Sequence, residues 1–520
     1  MIRAAYRFCL VLAALVGLAA PAAAQWHKAE SENFVIYSDS SAEEIREFAQ
    51  RLERFHVAMS LLSNFRPPVP SPSNRVTVYA VGSEGTLRRL YGAGGSNVAG
   101  FYIPRAGGSV AFVPNVRLRG NQTDFTLIVL LHEYAHHFTI AGYPYPMPRW
   151  MAEGMAEFFA AAKFAPDGGM DIGLPANHRS GELVFGNKMP LREVLDYGRN
   201  PGDRSRRDTF YGQSWLLFHY VMFNPERRPQ YNDYLNRFNR GTPSVEAAEA
   251  AFGDLAKLEL ELRAYQRKRT LPAKRLSADL LPIGPITVTP LSEGMVAMMD
   301  VLLQSRRGVS PEQAAALLPE ARAVAARYPE DAGVLAALAE AEYDAGNDAA
   351  AIAAADGAIA RDPEQSNAYV QKGFALFRIA RDSDDKEAAF TAAMQPFEAL
   401  NAIEPDHPLP LIYYYRSFAE SGRAPDDKAR AALRRASELA PFDQDLRFNL
   451  AMMEIGDRRH SAARKTLAPL AADPHGSGRS QRAKALMALL EQTPDGSRLD
   501  AAALRAVLQS PGEETEAEGG

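Results

Sequence analysis

Five prolines divide the second half of this 520-residue chain into units of similar length. Pro329, Pro363, Pro405, Pro441 and Pro474 each follow an Ala-rich run with helix-forming composition, and their spacings are 34, 42, 36 and 33 residues. A proline cannot continue a helix, so each one is expected just beyond a helix end. A period near ~34 residues predicts stacked helix–turn–helix units, each of which buries its apolar face against its neighbours.

Small residues recur at fixed distances before these prolines. Ala339, Ala351 and Ala358 precede Pro363 by 24, 12 and 5 residues. In the 42-residue unit Gly373 takes the small position, and the segment 382–385 accounts for part of the extra length. This pattern resembles the tetratricopeptide repeat over residues 292–492. An irregular helical bundle is the alternative.

The residues before the repeats alternate between strand-like and helix-like patterns. Strands are predicted at 33–37, 75–79, 101–103 and 110–113, with Gly107-Gly108 as a hairpin turn. Helices are predicted from Ser41, which forms a capping box with Glu44, to about 62, and then over about 123–140, 150–163 and 209–223. We therefore expect an α+β domain over 25–270, a Pro-rich linker over 271–291, the all-α repeats, and a partly disordered acidic tail over 493–520.

The N-terminus has the composition of an export signal. Arg3 and Arg7 precede an apolar run over 8–20, and small residues follow at 22–24. This order is typical of a cleaved signal peptide, here 1–24, and predicts a periplasmic or secreted protein without a transmembrane span after cleavage. An uncleaved anchor is the alternative.

The sole cysteine, Cys9, lies inside this segment, so the mature chain has no thiol chemistry. The net charge of −5 argues against a nucleic-acid partner.

The motif with the clearest chemistry is His132-Glu133-Tyr134-Ala135-His136. Residues four apart on a helix share a face, so the two imidazoles can bind one ion, with Glu133 beside them. A catalytic zinc takes three protein ligands and leaves one position for water, whose proton a carboxylate can accept. The apolar run 125–131 before the motif favours a buried site.

A second segment, Trp150-Met151-Ala152-Glu153-Gly154-Met155-Ala156-Glu157-Phe158, follows this motif. Together the two segments resemble the gluzincin metallopeptidases, and most closely the peptidase-MA-like proteins, which also begin with a strand like 30–39. The resemblance implies a zincin-like catalytic domain with Zn²⁺ and makes Glu153 the third zinc ligand. It also implies an oxyanion-binding tyrosine downstream, for which Tyr211 is the candidate.

Other residues near these motifs have weaker assignments. Glu157 lies one helical turn after Glu153, where it can either hydrogen-bond a ligand histidine or serve as a surface residue. His137 can line the site, but a structural role in the core or at the helix end is favoured. His178 and His219 are interpreted as structural histidines. Tyr211 can alternatively be a core residue.

These patterns predict an exported zinc peptidase. An endopeptidase is favoured, since no exopeptidase segment of the aminopeptidase kind is present. Its repeats would bind a protein or peptide substrate, or an envelope partner. The alternative is a non-catalytic envelope scaffold in which the repeats bind partners and the zincin domain is a binding module. A non-peptide amide hydrolase is a third option.

Overall fold

The fold is described from a computed structural model that covers residues 25–63, 65–92, 98–116, 118, 124–197, 207–473 and 478–509. The predicted signal peptide, Pro474 and residues 510–520 lie outside the described residues. We call residues 25–290 the N-terminal region and residues 292–509 the repeat region.

The N-terminal region combines short strands with helices. Its first half contains β1 (His27–Glu30), β2 (Phe34–Ser38), α1 (Ala42–Ser63), β3 (Val76–Ala80), α2 (Glu84–Tyr91), β4 (Phe101–Ile103), β5 (Val110–Val113), α3 (Phe125–Gly142) and α4 (Arg149–Ala160). Its second half contains β6 (Lys163–Phe164), β7 (Met170–Ile172), α5 (Ser180–Phe185), α6 (Leu191–Leu195), α7 (Arg207–Phe223), α8 (Arg228–Asn239), α9 (Ser244–Phe252), α10 (Leu255–Gln266), β8 (Lys274–Leu276) and β9 (Thr287–Pro290).

Six strands form a mixed sheet in the order β4-β5-β3-β2-β1-β9. β2, β3 and β5 are parallel, while β4, β1 and β9 pair antiparallel with their neighbours. Because side chains alternate across a strand, successive residues enter different cores. Val78 packs into the core shared with α1 and α3, whereas Tyr79 packs on the opposite face against the repeat region.

The segment 271–291 differs from the linker that its prolines predict. Its strand β8 pairs with β7 in a three-stranded sheet, and β9 adds to the edge of the six-stranded sheet beside β1. The short, exposed β9 ends in Pro290, which an edge strand tolerates because no neighbour needs its missing N–H. The segment therefore belongs to the N-terminal region.

The repeat region consists of consecutive helices. These are α11 (Glu293–Arg307), α12 (Pro311–Arg327), α13 (Ala332–Asp344), α14 (Asp348–Arg361), α15 (Ser366–Arg381), α16 (Lys386–Ala393), α17 (Gln395–Ile403), α18 (Pro408–Glu420), α19 (Asp427–Leu439), α20 (Gln444–Gly456), α21 (His460–Ala471), α22 (Gly478–Glu491) and α23 (Ala501–Gln509). Neighbouring helices pack on each other, and α11 contacts α13 as α13 contacts α15. These contacts produce a helical stack built from repeated pairs.

The repeat prolines lie where the helices end. Pro329, Pro363, Pro405 and Pro441 each stand two residues beyond the last residue of α12, α14, α17 and α19. In the long unit the second helix is divided into α16 and α17, and Pro396 occupies the first turn of α17. None of the helices in the described ranges combines the length and apolar character that a membrane crossing requires.

The repeat region contacts the N-terminal region at several points. Glu404 accepts hydrogen bonds from the backbone N–H and the hydroxyl of Ser73, at 2.9 and 2.8 Å. Arg307 donates to the carbonyl of Leu90 at 2.8 Å, and the helices α11–α13 share a hydrophobic core with β3 and β5. The two regions therefore bury apolar surface against each other.

Candidate metal centre

Two histidines project from one face of α3. Asp124 caps the helix by accepting a hydrogen bond from the Thr126 N–H, and an apolar first half anchors it in the core. One turn separates His132 from His136, and the Nε2 atoms of the two buried rings lie 3.1 Å apart. The helix thus directs two ring nitrogens at a common point.

Glu153 reaches the same point from α4. Its carboxylate is fully buried, and its Oε2 lies 3.4 Å from Nε2 of His132 and 3.3 Å from Nε2 of His136. The next residue, Gly154, explains how α4 is held there. A Cβ at this position would lie 2.4 Å from the carbonyl oxygen of Ser214 on α7, so only glycine permits this close packing of the two helices.

The three ligand atoms suit a zinc ion. All lie within 4.8 Å of one another. Zinc binds imidazole nitrogen and carboxylate oxygen at about 2.0–2.1 Å, so two ligands at a tetrahedral angle are separated by roughly 3.4 Å. The three separations here are 3.1, 3.4 and 3.3 Å. The donor chemistry and the spacing therefore both fit, with a fourth direction left for a non-protein ligand.

A second buried carboxylate orients the first histidine. Glu157, also fully buried, places Oε1 3.3 Å from Nδ1 of His132. Its Oε2 lies 2.5 Å from Nε2 of His178, and its Oε1 accepts from Nε and Nη2 of Arg179 at 2.9 and 2.7 Å. A carboxylate on the far nitrogen of a ligand histidine fixes the ring and its tautomer. Of the two roles that the sequence left open for Glu157, the position is that of a partner to His132.

The charges of the cluster favour a cation. Burial lowers the pKa of the His132 imidazolium, but hydrogen bonds and charges from Glu153 and Glu157 outweigh it and raise that pKa to about 10. Burial raises the pKa of Glu157, yet hydrogen bonds from His132 and His178 and the charge of Arg179 bring it well below its usual range. Without a metal the site therefore retains a proton, which a metal must displace.

Glu133 and Tyr211 flank the ligands. Glu133 is half-buried on α3, and its negative charge contributes to raising the pKa of Tyr102, although burial of that phenol is the main cause. The ring of Tyr211, on α7, lies 6.5 Å from that of His132, and the Arg179 guanidinium lies 4.8 Å from its centroid. Burial, followed by the charge of Glu153, raises the pKa of Tyr211, so its hydroxyl stays protonated.

The remaining histidines differ in their surroundings. His219 is buried, with Nε2 2.8 Å from the Gly173 carbonyl and Nδ1 2.9 Å from the Tyr265 hydroxyl. The Nδ1 of His137 lies 2.5 Å from the hydroxyl of Tyr102. Both rings contact residues other than the three ligand candidates, which is the arrangement expected of structural histidines.

His178 differs from its predicted structural role. It contacts the carboxylate of Glu157, which in turn contacts His132. Arg179 shares this role and is absent from the sequence-based candidates. Both lie on the 3-10 turn Asn177–Arg179, which follows Glu157 by about 20 residues. No pattern near His178 and Arg179 in the sequence indicates this position.

Comparison with known proteins gives matches to solved structures alone. No protein-family model matches the chain, and no curated protein matches it. One similar solved structure is TTC0263, a thermophilic tetratricopeptide-repeat protein of Thermus thermophilus, at 20% identity and a TM-score of 0.32, covering 37% of this chain and 100% of that one. Another is a double mutant of MamA RS-1, at 18% identity and a TM-score of 0.27, covering 34% of this chain and 93% of that one.

Proposed function

We propose that the protein is a zinc-dependent peptidase that cleaves peptide bonds with water, and that it acts after export. The observation that carries the proposal is the convergence of His132, His136 and Glu153 at the separations of a tetrahedral zinc site. Glu133 follows His132 in the chain and is not one of the three ligand candidates. This combination of three ligands and one adjacent carboxylate suits hydrolysis better than structural metal binding, which uses four protein ligands.

Each residue has a separate task in the proposed reaction. His132, His136 and Glu153 would hold the zinc ion, which would lower the pKa of a water molecule and polarise a carbonyl. Glu133 accepts the proton from the attacking water and returns it to the leaving amine. The protonated hydroxyl of Tyr211 donates a hydrogen bond to the oxygen on which negative charge develops.

The sheet offers a place for an extended substrate. β4 is an edge strand, and within the described residues it pairs only with β5. It also contacts α3, the helix that carries both histidine ligands. A peptide can add to such an edge through its main chain. Binding along a strand favours an endopeptidase, since it holds residues on both sides of the bond that is cut.

The second candidate is a scaffold whose repeat region binds protein partners. The stacked helix pairs of α11–α23 favour it, because such arrays present an extended surface for peptides. A scaffold has no need of the unliganded carboxylate at Glu133. A substitution of Glu133 therefore distinguishes the two functions.

The test begins with purified mature protein loaded with zinc. Mass spectrometry of a mixed peptide library should show cleavage by the unaltered protein and loss of cleavage in Glu133→Gln, whose amide cannot accept the proton. Glu43→Gln, an exposed glutamate on α1, is the matched control and should cleave normally. Both variants should retain about one zinc per chain.

A comparison in cells identifies the natural substrate and tests the scaffold. Exported proteins are compared between cells that carry the unaltered gene and cells that carry Glu133→Gln. Substrates should accumulate uncut in the variant. If Glu133→Gln instead restores every phenotype of a deletion, and the zinc-loaded protein cuts no peptide, the scaffold replaces the peptidase.

A further inference from the structure

A cleft of about 690 Å³, open to solvent, lies between the two regions beside the metal centre. One wall comes from α3, α4 and the turn between them, and the other from α20, α21 and the residues that flank them. The zinc-ligand candidate His136 is part of the lining, so the cleft opens onto the metal centre. The repeat region thus encloses the space next to the proposed reaction site.

Specific contacts fix the repeat-region wall. Asp443 accepts a hydrogen bond from the Ala106 N–H at 2.8 Å, and Asn74 donates to the Leu439 carbonyl at 2.8 Å. The ring of Phe442, which lines the cleft, lies 4.5 Å from the ring of His137 on α3. These contacts hold the start of α20 against the turn before β5 and against the metal-binding helix.

The lining of the cleft is mainly apolar. It includes Ile140, Tyr143, Met155, Phe442 and Leu470. Two lining side chains are exposed to solvent, Ile140 at 38% and Tyr145 at 57%. An apolar lining of this size suits a large aliphatic or aromatic side chain, whose burial stabilises binding.

The cation Arg447 lines the cleft on the repeat side. Arg447 of α20 donates from Nε and Nη2 to its own region's Pro441 carbonyl, at 3.3 and 2.8 Å. Among the described residues, no carboxylate lies within ion-pair distance of Arg447. Burial lowers the pKa of its guanidinium to about 10, and no acidic group offsets that effect. Arg447 therefore remains charged at neutral pH.

Among the described residues of the lining, Asp473 supplies the carboxylate. It accepts a hydrogen bond from Gln444 Nε2 at 3.2 Å. Asp473 forms no ion pair with Arg447, so the positive charge of Arg447 is not neutralised within the described lining. The charge pattern favours a ligand that brings its own carboxylate to the repeat-side wall.

We propose that this cleft is a substrate subsite, and that it binds a peptide in which a large apolar side chain lies beside a carboxylate. The apolar lining takes the side chain, and Arg447 takes the carboxylate through charge-assisted hydrogen bonds. This inference rests on the proposed peptidase function and names its substrate class. The carboxylate belongs either to a peptide C-terminus or to an acidic side chain, and both present the same group to Arg447.

Binding of fluorescein-labelled peptides to full-length, zinc-loaded Glu133→Gln protein tests the subsite. The first pair is Gly-Gly-Ala-Phe with a free C-terminus and the same peptide as an amide. The second pair is Gly-Gly-Phe-Glu-Ala amide and its Gln counterpart. In at least one pair the peptide with the carboxylate should bind about 10- to 100-fold more tightly, the range of a charge-assisted hydrogen bond. The pair that responds identifies the source of the carboxylate.

Substitutions then locate the binding. Arg447→Gln should abolish the preference for the carboxylate, and Arg447→Lys should restore part of it. Arg464→Gln on α21, which removes an exposed arginine that pairs with Glu491, is the matched control and should leave it unchanged. Replacing Phe in the preferred peptide by Ala should weaken binding by about 10- to 100-fold.

The outcomes distinguish the subsite from the proposed function. Equal affinity within both pairs, or a preference that survives Arg447→Gln in a folded variant, overturns the subsite. Thermal melting by circular dichroism establishes that each variant is folded. If the affinities follow the expected pattern while unaltered zinc-loaded protein cleaves no peptide, the subsite stands and the peptidase function fails.

Discussion

The candidate metal centre and the middle of the repeat region differ in the residues that their helices bury against each other. Where α3 meets α4, the contact contains two histidines and two glutamates that are fully buried, Glu153 and Glu157. Where α13 meets α14, the buried residues of the shared cluster are alanines, with Ala339, Ala355 and Ala358 fully buried. The α3–α4 contact therefore buries charged side chains, whereas the small side chains of the α13–α14 contact let the two helices approach closely.

The difference shows where chemistry and stability are located. Removing an ion from water has an effective cost of several kcal/mol, so buried carboxylates persist only with partners around them. Glu157 has His132, His178 and Arg179 as partners. The alanine contacts need no such compensation and gain their stability from close packing. We therefore expect activity to be sensitive to the loss of a single charge at the candidate metal centre. The stability of the repeat region should be sensitive to the gain or loss of a single methyl group.

The largest effect is expected for Glu157→Gln. The substitution removes the charge that compensates Arg179 and orients His132, so the free energy of unfolding should fall by about 3–5 kcal/mol. Zinc affinity should fall by about 10- to 100-fold. Chemical denaturation and competition with a zinc chelator measure the two quantities.

Glu342→Gln is the matched control on the repeat side. Glu342 is buried like Glu157, but its partner Arg322 is 54% exposed. The loss should stay near the ~0–1 kcal/mol of a surface pair, with zinc affinity unchanged. Equal losses in the two variants would contradict the contrast between the regions.

The next effect concerns turnover without a loss of metal. Tyr211→Phe should lower kcat/KM by about 10- to 1,000-fold, because it removes one donor to the developing oxyanion while Glu133 still accepts the proton. The loss should be smaller than that of Glu133→Gln, for which a general base accounts for ~10²–10⁴-fold. Tyr265→Phe removes a hydroxyl that contacts the core residue His219, and it should leave turnover unchanged. A Tyr211→Phe enzyme with full turnover would return Tyr211 to a packing role.

A third effect belongs to the repeats alone. A Cβ at Gly373 would lie 2.5 Å from the ring of the buried Phe397, so Gly373→Ala should destabilise the repeat region by about 1–3 kcal/mol. Gly357→Ala on α14 is the matched control. Its nearest contact would be 3.4 Å, and helix propensity should make it neutral or stabilising by up to about 1 kcal/mol. Zinc content should be unchanged in both, and loss of metal in Gly373→Ala would show that the two regions are coupled.

Local patterns in the sequence predicted most of what lies within single elements. The spacing of His132 and His136 placed both on one helical face, and alternation located four strands to within a residue or two. The period of the prolines marked the helix ends of the repeats. Each of these predictions depends only on residues that are close together in the chain.

Features that depend on distant parts of the chain were not predicted. His178 joins Glu157 only because the turn at 177–179 folds back over α4, and nothing local to His178 signals that position. The strands β8 and β9 are short pairings at sheet edges in a Pro-rich segment, so composition indicated a linker. The cleft beside His136 likewise needs Phe442, which lies far along the chain in the repeat region. Tertiary packing alone determines these three features.

The smallest effect is a dependence of repeat stability on pH. Burial, together with the charge of Glu340, raises the pKa of Asp344 to about 6, although Ser305 and Arg306 lower it. An acid whose pKa is higher in the folded protein binds its proton more tightly there than in the unfolded chain. The contribution of Asp344 to the free energy of unfolding is therefore complete below its pKa in the unfolded chain, near 4, and is lost as the pH rises through about 6.

Because the Asn side chain stays neutral, Asp344→Asn should match the unaltered protein near pH 4 and exceed its stability by about 1–2 kcal/mol at pH 7. Urea denaturation of both proteins at pH 4, 5, 6 and 7 gives the difference at each pH. A difference that stays constant over this range would mean that folding does not raise the pKa of Asp344, and that the neighbours of this partly buried acid compensate its charge fully.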